Sequence, residues 1–412
     1  MGTVSRVGIE KLRVYPGSLA LSMADLCQAR RHDIGDIRDD MMVDERSLNV
    51  PWEDPVTMAV NAAKPMLSEA DRAKIGLVIV ASESGVDQEK PLSTWVQRYV
   101  DLPSSARNIE VKHACYGATA SLQLAASWIA SGTAGGRTAL VINTDESRMH
   151  LGAPWEFVLG AGATALLISD NPRVLEIELG SSGIYTYEIS DLTRPTSRVE
   201  TGNSETSLLS YLDALEGAFD DFLRRHPDAA DWDAYFKRTI YHLPFGGMGY
   251  LAHKAMLRRL GITGKNAALE SFTRKTQPSL HYVRRMGGTY GSSTFIALMG
   301  LIAIDEEPRE GDRIGFFSYG SGCCAEFWSG RVGPDARRAV MEAGLQGLLD
   351  ARRKVSVGEY EAIENARSAA IDKGDYWNDL DTLGDWYNLY YKDKGLLTFK
   401  GMKEYYRQYA WS

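Results

Sequence analysis

The stretch CYGATASLQLAASWIA, residues 115–130, decides the fold because the chain repeats its outline once more. The second copy, TYGSSTFIALMGLIAI at residues 289–304, has the same Tyr-Gly turn followed by small and apolar residues. A strand-like run begins 22 residues after Cys115 and 23 residues after Thr289. Because a helix that is apolar all round needs cover on both sides, the repeat predicts two α/β halves related by a pseudo-twofold axis. They are expected to stack as helix, sheet, helix, sheet, helix.

The rest of the chain alternates between strand-like and helical patterns, which predicts the α/β class. Short apolar runs that end in small or polar residues predict strands at residues 75–84, 137–147, 163–170, 238–246 and 312–321. Helical patterns occupy residues 52–67 and 207–226, the second with apolar residues at spacings of three and four. We expect an N-terminal half at residues 1–172 and a C-terminal half with helical insertions at residues 173–412.

The composition is that of a globular protein with a large core, since 44% of the 412 residues are hydrophobic and 24% are charged. The formal net charge of -8 argues against nucleic-acid binding, which needs clustered Lys and Arg. The N-terminus lacks the apolar region of a signal peptide, and no run approaches the roughly 18 apolar residues of a membrane span. We therefore expect a cytoplasmic protein that does not contact membranes. The four cysteines are too few for a disulfide framework.

Cys115 lies where an extended run gives way to an apolar helix. If that helix begins near Gly117, the thiol sits at its N-terminus, where free amide N–H groups and the helix dipole favour an anion. The position predicts a depressed thiol pKa and a nucleophilic role. Cys27, on an amphipathic helix, and Cys323 and Cys324, in a predicted strand, are interpreted as structural.

Glu83 and His242 end two of the predicted strands, and the repeat relates both strand ends to that of Cys115. Glu83 lies between two serines, a setting that fits a solvated loop carboxylate and also a general base in a cleft. His242 precedes a proline and two glycines, which fits a buried structural histidine as well as a catalytic one. His113 is interpreted as structural, and the other histidines lack ligand-like spacing, so no metal is expected.

These residues resemble the 3-hydroxy-3-methylglutaryl (HMG) synthase family, a branch of the thiolase-fold superfamily. The loop ACYGATA carries the resemblance, with a strand-end Glu about thirty residues before it and an H-x-P-F segment well after it. Further matching segments follow in the same order along nearly the whole chain: VGIEKLRVY, MAVNAAKPML, ALVINTDES, GAGATALLIS, DLTRP, SYLDALE, YHLPF, FFSYGSG and GMKEYYRQYAWS. The resemblance implies a thiolase-like five-layer αβαβα sandwich and a homodimer.

The resemblance also implies catalytic roles. Cys115 would take an acetyl group from a thioester donor, and Glu83 would remove a proton from the acetyl methyl. His242 would hydrogen-bond the thioester or β-ketone of the acceptor. A methyl next to a thioester is a weak carbon acid, so its base should be a carboxylate whose pKa burial raises toward neutrality. The oxyanion and substrate-binding residues implied in this way are Ser321, Gly320, Gly288 and Tyr290.

Two positions depart from the usual pattern of the family. Members that use coenzyme A carry a lysine where this chain has Gly247, and an asparagine is usual where it has Gly288. Together with ETGNSETSLLSYLDALE at residues 200–216, these differences resemble the subgroup that installs β-branches on polyketides. There, both acyl groups ride on the 4'-phosphopantetheine arms of acyl carrier proteins (ACPs).

That subgroup implies three features of the substrates and partners. The donor would be an acetyl-loaded ACP, the acceptor would be an ACP of a polyketide synthase module, and no cofactor would be bound. Because carrier proteins are acidic, docking needs a local basic patch. Arg30 and Arg31 are candidates for that patch or for the phosphate of the arm, and Gly247 marks the neighbouring carrier-binding position.

Three alternatives stay open. A mevalonate-pathway synthase acting on acetyl- and acetoacetyl-coenzyme A is disfavoured by Gly247. A non-catalytic partner that only binds carrier proteins is disfavoured by the intact Cys115, Glu83 and His242, although Gly288 keeps it open. A dinucleotide enzyme is suggested by GAGATA at residues 160–165, but that segment leads into a predicted strand instead of opening a helix.

Overall fold

The computed structural model describes residues 6–147 and 151–412. In this part of the chain there are eighteen β-strands and fifteen α-helices. The strands are β1 Gly8–Tyr15, β2 Leu19–Ser22, β3 Glu45–Leu48, β4 Ile75–Ala81, β5 Arg107–Val111, β6 Thr138–Glu146, β7 Ala161–Ser169, β8 Leu175–Ile177, β9 Gly183–Thr186, β10 Leu192–Thr193, β11 Thr201–Gly202, β12 Arg238–Tyr241, β13 Arg313–Gly320, β14 Cys324–Val332, β15 Arg353–Val355, β16 Tyr376–Trp377, β17 Leu397–Lys403 and β18 Tyr406–Trp411.

The helices connect and cover these strands. They are α1 Met23–Arg30, α2 Pro55–Ala63, α3 Glu69–Lys74, α4 Leu92–Val100, α5 Gly117–Ala130, α6 Ser204–Arg225, α7 Trp232–Tyr235, α8 Gly246–Arg259, α9 Lys265–Lys275, α10 Leu280–Met286, α11 Ser292–Ile304, α12 Ala336–Glu342, α13 Leu345–Asp350, α14 Val357–Ala370 and α15 Trp386–Tyr390. Among the described helices, none is both long and apolar enough to cross a membrane.

One large sheet runs through both halves of the molecule. Its strands follow the order β12-β13-β14-β8-β1-β7-β6-β4-β5, and β9 pairs with β14. The two halves meet where β1 pairs with β8, with Gly8 opposite Glu176 and Ile9 opposite Leu175. Each half therefore keeps its own strands on one side of that contact.

The two halves repeat one pairing pattern. In the first half β4 and β6 are parallel, while β6 with β7 and β7 with β1 are antiparallel. In the second half β12 and β13 are parallel, while β13 with β14 and β14 with β8 are antiparallel. This common order confirms the duplication predicted from the repeated Tyr-Gly helices. The first half extends one strand further, because β5 pairs in parallel with β4.

Two helices, α5 and α11, lie between the two sets of strands. α5 packs on β4 and β6 of the first half, and its Thr119 hydroxyl lies 2.7 Å from that of Ser318 in β13. α11 contacts β6 and β7 as well as β12. The preceding residue of β13, Phe317, points to the opposite face and packs on Tyr211 of α6. With α2 and α4 on the other face of the first-half strands, the layering is the predicted one.

The two central helices differ in how completely they are covered. Every residue of α11 from Ser292 to Ala303 is buried. On α5, by contrast, Leu124 is 53% exposed. The expectation of cover all round is therefore correct for α11 and wrong for α5, where the Leu124 side chain stays more than half exposed within the chain.

The predicted strands are all present, but two details differ. The strand predicted over residues 238–246 ends at Tyr241, because Pro244 has no N–H to donate to a ladder and α8 begins at Gly246. Cys323 precedes β14 instead of lying within a strand, and only Cys324 belongs to that strand.

The predicted helices begin at different residues because capping side chains decide their ends. The helix predicted over residues 52–67 begins at Pro55, where Asp54 and Thr57 form a capping box. The helix predicted over residues 207–226 begins one turn earlier, at Ser204, because the Asn203 side chain accepts from the Thr206 N–H.

Candidate active site

Cys115 lies in the loop between β5 and α5, just before the helix-capping residue Tyr116. Ala114 has a φ of 41°, in the left-handed region that non-glycine residues rarely adopt, so the chain turns sharply at the thiol. The Tyr116 hydroxyl donates to Glu326 in β14 (2.7 Å), which ties the loop to the second half. Cys115 Sγ donates to Glu83 Oε1 at 3.2 Å. The predicted nucleophile and base are thus in direct contact.

The loop that carries Glu83 is held by Asp145 at the end of β6. Asp145 Oδ1 accepts from the backbone N–H groups of Glu83 (2.9 Å) and Ser84 (3.1 Å) and from the Ser82 hydroxyl (3.1 Å). Its Oδ2 accepts from the Asn143 amide at 2.6 Å. Because β4 and β6 are parallel neighbours, their carboxyl ends bring these residues together.

Burial determines the protonation of Glu83 and Cys115. Burial and then the charge of Asp145 raise the pKa of Glu83 to about 8, while Arg194 lowers it. Burial and the adjacent Glu83 raise the pKa of the Cys115 thiol well above its usual value. The expected depression of that pKa is wrong, because desolvation and the neighbouring carboxylate outweigh the helix N-terminus. Sulfur therefore keeps its proton at rest, and Glu83 is the group placed to accept it.

His242 follows β12 directly and is held as a neutral ring. Its Nδ1 lies 3.1 Å from Ser293 Oγ, which accepts the N–H of Leu243 at 3.2 Å. The hydroxyl hydrogen of Ser293 can then be donated to Nδ1, which places the ring proton on Nε2. Burial lowers the pKa of His242 to about 3. The ring can thus offer a neutral Nε2–H donor to a substrate oxygen.

Cys115 and His242 line one cavity of about 380 Å³, while Glu83 lies behind the thiol. Much of the wall is apolar and is formed by Met41, Trp155, Leu208, Phe245, Met248 and Leu251. The volume is that of a small-molecule site, and its apolar wall suits an acyl chain.

The other predicted substrate-binding residues gather around the same cavity. Ser321, Gly288 and Tyr290 line it, and Gly320 packs against the backbone of the nucleophile loop so closely that a side chain would collide. A side chain at Gly288 would likewise collide with the Pro244 carbonyl. The Tyr290 side chain is 4% exposed, and its hydroxyl has no hydrogen-bond partner among the described residues. This hydroxyl is thus available to a substrate.

Residues 191–202, which contain β10 and β11, form a hairpin beside the cavity that we call the 191–202 hairpin. Its Asp191 accepts from the backbone N–H of Gly322, in the loop after β13, at 3.0 Å. Its Arg194 donates to the backbone carbonyl of Glu83 at 2.8 Å and to Glu200 at 2.7 Å. The hairpin therefore contacts the catalytic loops of both halves.

Two family models match this sequence at its two ends. Hydroxymethylglutaryl-coenzyme A synthase N terminal matches residues 4–173, and hydroxymethylglutaryl-coenzyme A synthase C terminal matches residues 250–409. The chain belongs to the hydroxymethylglutaryl-coenzyme A synthase family. It is accordingly an acyl-transferring condensing enzyme with the thiolase-like fold, which confirms the predicted fold class and enzyme class.

Relatives in the HMG synthase family place the chain more closely. Polyketide biosynthesis 3-hydroxy-3-methylglutaryl-ACP synthase PksG of Bacillus subtilis (strain 168) is 39% identical over 371 residues, which cover 86% of this chain and 87% of PksG. The HMG synthase of the curacin pathway, solved in complex with holo donor-ACP, has a TM-score of 0.94 at 39% identity and covers 99% of this chain and 100% of its own. Hydroxymethylglutaryl-CoA synthase of Enterococcus faecalis is 32% identical over 359 residues, or 87% of this chain and 91% of that protein. Within the HMG synthase family, this chain belongs with the polyketide β-branching members.

The two arginines predicted to contact the carrier arm have different surroundings. Arg30 pairs with Glu156 (2.9 Å) and Glu361 (2.7 Å), so its charge is already matched. Arg31, at the C-terminal cap of α1, is exposed. Of the two, Arg31 is the one whose position leaves its guanidinium accessible to a partner.

Gly247 lies in a close backbone contact near the start of α8. Its N–H donates to the carbonyl of Met41 at 2.8 Å, and a Cβ would collide with the backbone of Asp40. Gly247 and Gly288 are the two positions at which the sequence departs from the expected family pattern, a lysine at the first in members that use coenzyme A and an asparagine at the second. Both are filled here by neighbouring backbone, so neither a lysine nor an asparagine fits.

Sequence reasoning missed three charged residues near the base. Asp145 ends a predicted strand, as Glu83 does, and that shared position was the available signal. Arg194 and Glu200 lie in or near DLTRP, a segment that supported the resemblance without receiving a role. Asp145 and Arg194 contact Glu83 across 62 and 111 residues of sequence. A local sequence pattern cannot predict contacts over such separations.

Proposed function

We propose that this member of the HMG synthase family works on carrier-bound substrates in polyketide β-branching. It takes acetyl from a donor ACP onto Cys115 and adds it to the β-ketone of a β-ketoacyl chain on an acceptor ACP. The observation that carries the proposal is the 3.2 Å contact between Cys115 Sγ and Glu83 Oε1 beside a cavity that His242 also lines. The similarity to PksG, a 3-hydroxy-3-methylglutaryl-ACP synthase, and to the curacin synthase bound to its donor-ACP supports the choice of carrier.

The first step is acetyl transfer. Glu83 accepts the thiol proton of Cys115, and the sulfur attacks the thioester carbonyl of the donor. Collapse of the tetrahedral intermediate breaks the bond to the pantetheine sulfur, which leaves as a thiol with the proton from Glu83. This return of the proton restores the Glu83 carboxylate for the next step.

The second step is carbon–carbon bond formation. The Glu83 carboxylate removes a proton from the methyl of acetyl-Cys115, and backbone N–H groups of Cys115 and Ser321 stabilise the enolate oxygen. The carbanion attacks the β-ketone of the acceptor, while the neutral Nε2–H of His242 donates a hydrogen bond to the developing alkoxide. That oxygen then takes up the proton that Glu83 removed, so the hydroxyl forms and the Glu83 carboxylate is restored. Tyr290 and the backbone at Gly288 and Gly320 shape the acceptor site.

Hydrolysis completes the turnover. Water attacks the thioester at Cys115, which releases the thiol and leaves a free carboxylate on the new branch of the acceptor chain. The acceptor product is thus an HMG-type β-branched acyl-ACP. The phosphopantetheine arms arrive and leave with the carrier proteins, so the proposed cycle needs no bound cofactor.

Carrier proteins are acidic, and this chain itself has a formal net charge of -8. Docking of an ACP therefore needs local positive charge near the cavity. Leu251 lines the cavity, and the exposed residues Lys254 and Arg258 follow it on the same face of α8, three and seven positions later. They join Arg31 and Arg30 as candidate contacts for an acidic ACP.

We also propose a homodimer that acts in the cytoplasm, with each chain divided into halves at residues 1–172 and 173–412. The outer edge of β5, where Ile109 is exposed, is a surface that a second copy could cover. Each chain contributes its own Cys115, Glu83 and His242, so the proposed chemistry stays within one protomer.

Mass spectrometry of the intact protein tests the proposal. Acetyl-ACP is expected to add one acetyl group to the wild type and none to Cys115→Ala, and acetyl-coenzyme A is expected to react more slowly. A β-ketoacyl-ACP should then give an HMG-type product. Faster turnover of acetyl- and acetoacetyl-coenzyme A would favour the mevalonate-pathway reaction, and no acetylation by either donor would favour a non-catalytic carrier-binding protein.

A further inference from the structure

The 191–202 hairpin contains a buried ion pair that the mechanism above does not use. Arg194 Nη2 and Glu200 Oε2 lie 2.7 Å apart, and the two side chains are only 16% and 10% exposed. Glu200 also lines the catalytic cavity. Burying a charge is costly unless it is paired, so each of these two side chains holds the other at this depth.

Arg194 makes its second contact at the base itself. Nη1 donates to the backbone carbonyl of Glu83 at 2.8 Å. From the other side, Asp145 Oδ1 accepts the backbone N–H of the same residue at 2.9 Å. The peptide groups on both sides of Glu83 are thereby fixed, and its side chain is aimed at Cys115 Sγ.

The charges around Glu83 come from several elements. The titratable groups that face it are Cys115 before α5, Asp145 at the end of β6, Arg194 and Glu200 on the hairpin, and Tyr290 before α11. Asp145 and Glu200 oppose the ionisation of Glu83, and Arg194 favours it. Arg194 and the hydrogen bond from the Cys115 thiol both favour the carboxylate, and once Cys115 is acetylated Arg194 alone does so among these described groups.

We propose that Arg194 is the positioning residue for the catalytic base, fixing the Glu83 loop and favouring the carboxylate form that abstracts the acetyl proton. The inference rests on the proposed function, because it assigns to Glu83 the deprotonation of acetyl-Cys115. Glu200 is the counter-charge that holds Arg194 in the hairpin while limiting its effect. This assigns a role in proton transfer to the segment DLTRP, residues 191–195.

The sign of the effect follows from the charges. The pKa of Glu83 is raised to about 8 by burial and Asp145, and Arg194 offsets part of that rise. Arg194→Gln should raise this pKa further, so that less carboxylate is present at pH 7 and the loss is recovered as the pH rises. Glu200→Gln should lower the pKa of Glu83 and move the profile in the opposite direction.

Deuterium exchange at the acetyl methyl measures this step without an acceptor. The full-length protein is acetylated from acetyl-ACP and placed in D₂O at a series of pH values, and deuterium in the Cys115 peptide is followed by mass spectrometry. For Arg194→Gln we expect exchange at pH 7 to be about tenfold slower and the midpoint to move up by about one pH unit. Arg194→Lys should lie between Arg194→Gln and the wild type.

Arg198→Gln is the matched control on the same hairpin. Arg198 pairs with Asp372 at 2.9 Å, but both side chains are at least half exposed, and neither contacts Glu83 in a described interaction. We expect its exchange profile to match that of the wild type. Thermal melting of each variant shows whether it is folded, and the opposite shift in Glu200→Gln provides a second reading if Arg194→Gln is unstable.

Two results would overturn the positioning role. Exchange by Arg194→Gln that is slowed equally at every pH would show a merely structural role, and an unchanged profile would show none. Both results differ from failure of the proposed function. In that case the wild type itself would acquire no acetyl group on Cys115 or would not exchange its methyl hydrogens. The proposed role of Arg194 would then be refuted as well.

Discussion

The nucleophile loop before α5 and its copy before α11 share a Tyr-Gly turn but differ in what they place at the turn. The first copy has Cys115, whose sulfur contacts Glu83. The second has Thr289, a buried residue whose hydroxyl has no hydrogen-bond partner among the described residues. Duplication thus produced two related strand-end sites. In the proposed function only the first carries the covalent chemistry, and the second serves acceptor recognition through His242.

Burial acts on the pKa values of Glu83 in the first half and His242 in the second. Burial raises the pKa of Glu83 to about 8 and lowers that of His242 to about 3. Both shifts favour the neutral form, because transfer out of water penalises charge of either sign. For the acid this gives a base strong enough to attack a weak carbon acid, and for the imidazole it gives a neutral hydrogen-bond donor.

Removal of the base in the first half should produce the largest effect. Glu83→Ala is expected to lower condensation by about 10²–10⁴-fold, the usual contribution of a general base. Acetylation of Cys115 should become slower but not be abolished, because Glu83 no longer accepts the thiol proton while its removal also lowers the thiol pKa. Mass spectrometry can follow the acetyl-enzyme and the product in one reaction. Full condensation by Glu83→Ala would refute the base assignment.

His242→Ala tests the second half in the same way. We expect condensation to fall by about 10²–10³-fold, the usual cost of removing a donor to a developing oxyanion. Acetylation and deuterium exchange at the acetyl methyl should change little, because both involve first-half residues. If His242→Ala slowed acetylation as much as condensation, the division of roles between the halves would be contradicted.

The pH dependence separates the two groups. Since the pKa of Glu83 is about 8, its carboxylate fraction and the condensation rate should rise about tenfold between pH 7 and pH 9. His242 has a pKa of about 3, so it is neutral throughout this range and adds no further limb. Single-turnover rates of pre-acetylated enzyme check this. A profile that is flat from pH 7 to pH 9 is the contrary result.

Substitutions in the two central helices should differ in how much they lower the stability of the protein. Of all the predicted changes they should affect activity least. Leu298→Ala in the fully buried α11 should cost about 2–5 kcal/mol, and Leu124→Ala on the exposed side of α5 about 0.5 kcal/mol or less. Urea unfolding of both variants measures the difference. An equal cost at Leu124 would contradict the difference in burial between the two helices.

Much of the fold was predictable from local patterns. Apolar runs gave all five expected strands, and the repeated helices predicted the two halves. The errors lie where one side chain decides an end, as Pro244 does after β12 and Asp54 does before α2. Cover of α5 was also misjudged, because the hydrophobicity of a helix does not say whether the chain supplies a neighbour for each face.

By itself the sequence determined the duplicated α/β scaffold, the family, and the residue types that could act as nucleophile, base and hydrogen-bond donor. Such features are local or collinear, so periodicity and motif order are enough to find them. Only the tertiary structure decided that the Cys115 thiol is desolvated beside Glu83 and that Asp145 and Arg194 hold the base between them. These properties depend on burial and on contacts between segments far apart in the chain, and both arise only when the two halves pack together.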